Sequence, residues 1–219
     1  MRPPPATVPA PRPCFHGGVN EADEVNGVHA ADGVPAKGVH AARSGAGAER
    51  TGLRIRPRTE EDVPACARVL AQVHRADGYP VDWPDRPAVW LTPPHPLGAW
   101  VAEFDEDVVG HVVLSLGGEG DLAPGVWGAR HGTEGASAAV VGRLFVGPRA
   151  RGLGAGALLL DRAVREARRR DLHPVLDVLS RDTAARALYE RLGWELMATV
   201  EQRWGPSTLV TVHCYAAAP

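Results

Sequence analysis

From Leu53 to Arg56 the chain alternates apolar and polar side chains, the period of a half-buried strand. Thr59 then offers a capping hydroxyl with Glu60, Glu61 and Asp62 behind it, and Cys66, Val69, Leu70 and Val73 follow at helical spacing. Between Asp77 and Leu97 six prolines interrupt regular structure while Trp83 and Trp90 provide large apolar anchors, so the stretch reads as a packed loop able to serve as a substrate lid. Trp100–Phe104 and Val108–Leu116 are apolar runs joined by Asp105-Glu106-Asp107, a hairpin. The glycine-rich, polar stretch Gly117–Ser137 reads as a long, mobile connection.

Ala139–Val146 is a strand whose ladder Pro148 forbids from continuing. Gly156–Arg169 is a helix with Leu160, Ala163, Val164 and Ala167 as its apolar stripe, and Val175–Leu179 is a short strand. Asp182 is a favourable N-cap for a further helix that carries Ala185, Leu188, Tyr189 and Leu192 on one face and ends at Gly193. Trp194–Val200 and Leu209–Tyr215 close the chain as strands. Strands and helices in this order predict a mixed α/β domain, a sheet with helices packed against it.

Composition sharpens the organisation. The segment 1–50 holds no Leu, Ile, Trp or Tyr and is dominated by Ala, Gly and Pro, so it buries too little apolar surface to offset its ordering entropy and reads as a disordered, low-complexity tail. Within it Gly27-Val28-His29-Ala30-Ala31 recurs as Gly38-Val39-His40-Ala41-Ala42; with His16 these histidines suggest a metal-binding tail, but without carboxylate or cysteine partners they make a poor ligand set. Residues 51–219 are expected to form the folded domain. Apolar residues at 44 % and charged residues at 23 % suit a globular protein, and a net charge of −2 gives no general pull toward nucleic acid or anionic lipid. Cys14, Cys66 and Cys214 have no zinc-site or redox spacing, and no run approaches the roughly 18 apolar residues of a membrane span. A cytoplasmic protein with no nucleic-acid or membrane partner and no metal is the expectation.

Val146-Gly147-Pro148-Arg149-Ala150-Arg151-Gly152-Leu153-Gly154-Ala155-Gly156 leads from a strand straight into a helix. Its glycines let a ligand approach the backbone, and the free amides of the helix start, at the positive end of the dipole, form an anion cradle. Arg149 and Arg151 would add charge-assisted bonds to a diphosphate. A P-loop would need Gly-Lys-Ser/Thr, and Ala157 stands where its hydroxyl belongs, which argues against an ATP-using transferase. A plain glycine turn is the remaining alternative.

Arg151-Gly152-Leu153-Gly154-Ala155-Gly156 resembles the Arg/Gln-x-x-Gly-x-Gly/Ala signature of the GCN5-related N-acetyltransferase (GNAT) superfamily, and Asp182 to Trp194, reading DTAARALYERLGW, resembles the second signature of that family. The resemblance runs from about Leu53 to Tyr215. It implies a central, mostly antiparallel sheet with helices on both faces and one splayed parallel strand pair, here Ala139–Val146 and Val175–Leu179. It also implies acetyl-CoA as co-substrate, its arm held by backbone groups of Leu144, Phe145 and Val146, its diphosphate on Arg151 to Gly156, and direct attack by a primary amine in a ternary complex. The acceptor would be a small-molecule amine or a protein N-terminus. Tyr189 matches the tyrosine that donates to the departing sulfur, although its spacing from Ala185 and Leu192 is also core spacing. Asp177 stands where a branch similar to ribosomal-protein N-terminal acetyltransferases carries a proton-relaying glutamate, although an acid in an apolar strand is also often a satisfied structural group. Glu119, Asp121, Glu134, His111 and His131 are alternative bases. Asp182 replaces the usual asparagine beside the cofactor and lacks its donor. That departure leaves room for a non-catalytic acetyl-CoA-binding module, and the sequence leaves room for a homodimer.

Overall fold

The computed structural model describes residues 52–118, 120–132, 137–204 and 208–219. The N-terminal segment with its repeat and its histidines, and the candidate bases Glu119 and Glu134, lie outside the described residues. In chain order the elements are β1 (Leu53–Pro57), α1 (Val63–Asp77), α2 (Pro87–Trp90), β2 (Pro96–Phe104), β3 (Asp107–Leu116) and α3 (Ala123–His131). They continue with β4 (Ala138–Val146), α4 (Ala155–Arg169), β5 (His173–Leu179), α5 (Thr183–Arg191), β6 (Glu195–Trp204) and β7 (Thr208–Ala216). The strands form one seven-stranded sheet in the order β1-β2-β3-β4-β5-β7-β6, antiparallel except where β4 runs parallel to β5.

Alternation along β4 assigns the two faces. Ala139, Val141, Leu144 and Val146 join the cluster that holds Leu159, Leu160 and Ala163 of α4 with Ala185, Leu188 and Tyr189 of α5. Phe145 packs with Val69, Leu70 and Val73 of α1, and Ala138 and Val140 pack with Ala123 of α3. Helices α4 and α5 therefore cover one face, and α1 and α3 the other. Gly110 permits the close seat of α4: a Cβ there would meet Leu159 Cδ1 and the Phe145 carbonyl at 3.1 Å. Each fully buried leucine of this core contributes ~1.5–3 kcal/mol.

Polar ties set the helices on these faces. Arg56 of β1 donates to both oxygens of Asp62 at 2.7 and 2.8 Å and to Glu103 of β2 at 2.6 Å, which fixes the start of α1 and holds the Asp62 carboxyl far below the usual range. Glu166 of α4, though buried, accepts from Arg162, Arg169 and Arg170, and these partners lower its pKa to about 2.

Three expectations change. The connection read as mobile contains α3, begun with Pro124 in its first turn and ended by Gly132 at φ +64°. Leu122, Val126 and Trp127 pack its apolar side on the sheet, burial that outweighs the glycine-rich composition. The proline-rich segment holds the short α2, and β2 begins at Pro96 rather than Trp100 because its pairing with β3 reaches Ser115. No helix among the described residues is long and apolar enough to cross a membrane.

Candidate active site

The parallel pairing of β4 and β5 is brief. Ala138, Ala139 and Val140 face His173, Pro174 and Val175, and beyond them the strands have no ladder to each other. Their continuations, Val141–Val146 and Leu176–Leu179, form the arms of a V. A bulge begins the divergence: β3 pairs His111 with Phe145 and Val113 with Gly142, so Arg143 and Leu144 together oppose Val112. An extra residue bends and twists the strand that carries it.

Arg143 takes the left-handed conformation at φ +51°, and buried side chains hold it there. His111 lies fully buried and stacked on Phe145; its Nδ1–H donates to the Arg143 carbonyl at 3.0 Å, and its Nε2 accepts from Arg58 at 3.1 Å. Arginine only donates, which fixes this tautomer. Burial lowers the His111 pKa to about 3, with Arg58 and Arg143 adding to the effect. The Arg143 guanidinium lies over the Trp90 ring, 5.1 Å from its centroid, and its Nε donates to the Trp90 carbonyl.

At the open end of the V, after β4, lies the glycine loop that leads into α4. Gly152 and Gly154 have φ of +73° and +82°, which side chains rarely adopt, and Gly154 is the N-cap of α4. The helix ladder starts with Leu158 N–H on the Gly154 carbonyl at 3.2 Å, so the amides of Ala155, Gly156 and Ala157 precede it. Arg151 pairs with Asp77 at the C-terminal end of α1, while its buried Nε has no partner among the described residues. Leu153 packs against the core beneath. Arg149 lines a cavity of about 390 Å³ with Arg68, Asp105 and Asp107. A ligand with a diphosphate at one end and hydrogen-bonding amides along an extended arm fits this arrangement. Donors for an anion are available at the buried Arg151 Nε and at the amides that precede the α4 ladder, and the facing edges of β4 and β5 beyond Val140 and Val175 offer backbone groups to an extended arm.

Tyr189 sits in the cluster shared by Leu144 and Val146 of one arm and Leu176 and Val178 of the other, beside the rings of Trp194 and Tyr215. It is 1 % exposed, and burial pushes its phenol pKa well up, so it stays protonated. Asp182 occupies the N-cap position of α5 but makes no capping bond with its side chain. Burial, reinforced by Asp77 and opposed by Arg181, raises its carboxyl to about 6. Near neutrality a fraction therefore carries the proton that would make it a donor, as an asparagine amide is.

Asp177, expected as a base, has a different occupation. Its Oδ2 accepts from the amides of Leu122 at 2.7 Å and Ala123 at 3.2 Å, and its Oδ1 accepts from Ala123 at 3.0 Å. The carboxylate caps α3 and is 2 % exposed. The alternatives are engaged as well: Asp121 accepts from the Gly118 amide at 2.7 Å, His111 holds the bulge, and His131 stacks on Trp127, which stacks on His173, each at 3.6 Å between centroids. Asp77, Arg143 and Arg58 were not anticipated. Only the proline and glycine bracketing Ala123–His131 signalled the helix that Asp177 caps.

The pattern described as "Acetyltransferase (GNAT) family" matches residues 67–194. No curated protein matches the sequence. Among solved structures the fold is similar to the ribosomal-protein-S18-alanine N-acetyltransferase from Escherichia coli, at 17 % identity and TM-score 0.55 over 75 % of this chain and 92 % of that one. It is also similar to yncA, a putative acetyltransferase from Salmonella typhimurium solved with its cofactor acetyl-CoA, at 21 % identity and TM-score 0.53 over 77 % and 95 %. A GCN5-related N-acetyltransferase from Kribbella flavida gives 22 % identity and TM-score 0.54 over 74 % and 96 %. At these identities the likeness is one of fold.

Proposed function

The chain belongs to the acetyltransferase (GNAT) family, and on that footing we propose that it moves the acetyl group of acetyl-CoA directly to a primary amine of a small molecule or a protein N-terminus, with both substrates bound at once. The observation that carries this reading is the V between β4 and β5, open toward a cradle whose arginine keeps a buried Nε without a partner among the described residues. Acetyl-CoA, when bound, supplies an activated thioester. Arg151 and the amides of Gly152 to Gly156 hold its diphosphate, Leu153 seating the loop that presents them. Backbone groups of Leu144, Phe145 and Val146 hold the arm, and Asp182 in its protonated form donates to it.

Tyr189 holds a proton at its hydroxyl for a leaving thiolate, because burial keeps the phenol neutral. The amine, with a pKa of about 10 in water, gives its proton to solvent, since the Asp177 oxygens are committed to α3. Neither free cysteine among the described residues takes part: Cys66 is buried and pushed up to about 12, and Cys214 is likewise buried and raised. Residues 51–219 constitute the catalytic domain in this reading, and the cytoplasm its compartment.

Release of free CoA thiol from acetyl-CoA, followed with a panel of amines, tests the proposal. Amine-dependent release from the wild type that falls sharply in Tyr189→Phe is expected. Acetyl-CoA binding without release for any amine would favour a binding-only module, and no binding at all would overturn the family-based reading of the cradle.

A further inference from the structure

Helix α3 stands at a telling place. The last residue of β5 paired with β4 is Val175, and Asp177, the next residue pointing to the same face, binds the first turn of α3. The N-terminus of α3 therefore crosses the point where the two strands part, on the face away from α4. The side chain delivered there is Leu122, which packs with Val81 of the proline-rich segment, Leu179 at the end of β5, and Trp204 and Val210 of the last hairpin. Trp204 and Leu122 are half-buried, so this wall remains partly accessible.

Every buried carboxylate among the described residues is engaged: Asp62 by Arg56, Glu166 by its arginines, Asp177 by α3. The buried charge at the bulge beside the parting strands is the cation Arg143. An acceptor with several ammonium groups would meet the apolar side chains of this wall, with no buried carboxylate among the described residues left to receive its second charge.

Resting on the transfer reading above, we infer that α3, clamped by Asp177 across the parting of β4 and β5, is the specificity element of the acceptor site and selects an amine carried on an apolar group over a polycation. Asp177 is a positioning residue in this scheme. It acts through Leu122, and Cys214, its cross-strand partner on β7, backs it from behind.

The test compares n-hexylamine, a short peptide with N-terminal leucine, and spermidine as acceptors at saturating acetyl-CoA, with calorimetric acetyl-CoA affinity measured for every variant. The wild type is expected to show kcat/KM at least tenfold higher for hexylamine and the peptide than for spermidine, and Leu122→Glu to narrow or reverse that ratio at unchanged acetyl-CoA affinity. Asp177→Asn, which retains one acceptor oxygen for the α3 amides, should raise the KM for hexylamine several-fold while kcat and its pH profile stay close to wild type. Preference of the wild type for spermidine would overturn the inference. So would Asp177→Asn abolishing kcat and the rising limb of the pH profile at constant KM, because that is the behaviour of a base. If Asp177→Asn fails to fold, the Leu122→Glu ratio decides. A wild type that binds acetyl-CoA yet acetylates none of these amines, nor any of the wider panel, sinks the transfer reading itself, and that result comes from the wild-type arm alone.

Discussion

The two sides of the parted strands are built differently. On the cofactor side a short contiguous run, Arg151 to Gly156, supplies the cradle: two glycines in left-handed conformations, the free amides of one helix start, and one arginine. On the proposed acceptor side Val81, Leu122, Asp177 and Trp204 come from four separate segments that meet only in the folded chain. A cradle made of backbone depends on few side-chain identities. A wall made of distant side chains can change its selectivity by single substitutions without touching the cofactor. In the proposed reading, donor and acceptor recognition are separable.

Experiments that disturb one side and read both would break or sharpen this separation. The largest effect is expected from Tyr189→Phe, which stands between the two: kcat should fall about 100-fold, the scale of a lost general acid, with acetyl-CoA affinity unchanged by calorimetry. Arg151→Ala should weaken acetyl-CoA binding about 10- to 30-fold, from the loss of ~1.5–2 kcal/mol of charge-assisted hydrogen bonding, and leave the amine KM within twofold. A comparable rise in the amine KM would show that the two sides are coupled. Trp204→Ala should do the reverse, raising the KM for an apolar amine about tenfold through ~1.4 kcal/mol of lost contact while sparing acetyl-CoA affinity.

The smallest effect concerns Asp182. Its carboxyl rises from 3.8 in the unfolded chain to about 6 in the fold, so the folded state holds the proton more tightly. Wild type and Asp182→Asn should therefore be equally affected by the group below about pH 4, and as pH climbs through 6 the wild type loses stability that the variant keeps. Partial exposure of the side chain limits the difference to about 1–2 kcal/mol, a few degrees in melting temperature at pH 7.5, measurable by scanning calorimetry with the cofactor-free protein. An equal gap at pH 4 and 7.5 would mean that the carboxyl titrates normally.

Legibility followed the same divide. The strand before the cradle, the glycines, α4 and α5 were readable because each rests on local chemistry: a period of two, a helical stripe, a residue type that alone tolerates positive φ. The face of α5 that carries Ala185, Leu188 and Tyr189 is legible too, whereas Leu192, expected on the same face, is the exposed C-cap residue. Helix α3 was not read, because glycine and polar residues dominate its composition and its stability comes from Leu122, Val126 and Trp127 burying against strands far away in sequence. The burial of Asp177 is legible as an acid in an apolar strand, whereas the α3 amides it binds lie 54 and 55 residues away along the chain. The N-cap position of Asp182 was foreseen, whereas the absence of a capping bond and the raised pKa depend on the neighbouring Asp77.

By itself the sequence determined the family, the order of strands and helices, and the anion cradle, since those depend on residues adjacent along the chain or repeating at a short period. The tertiary structure alone decided where the strands part, which tautomer of His111 holds the bulge, and what the Asp177 carboxylate binds. The physical reason is range. Hydrogen-bond partners and burial for these groups come from segments 32 to 55 residues away, and no local pattern encodes a partner that only folding brings within 3 Å.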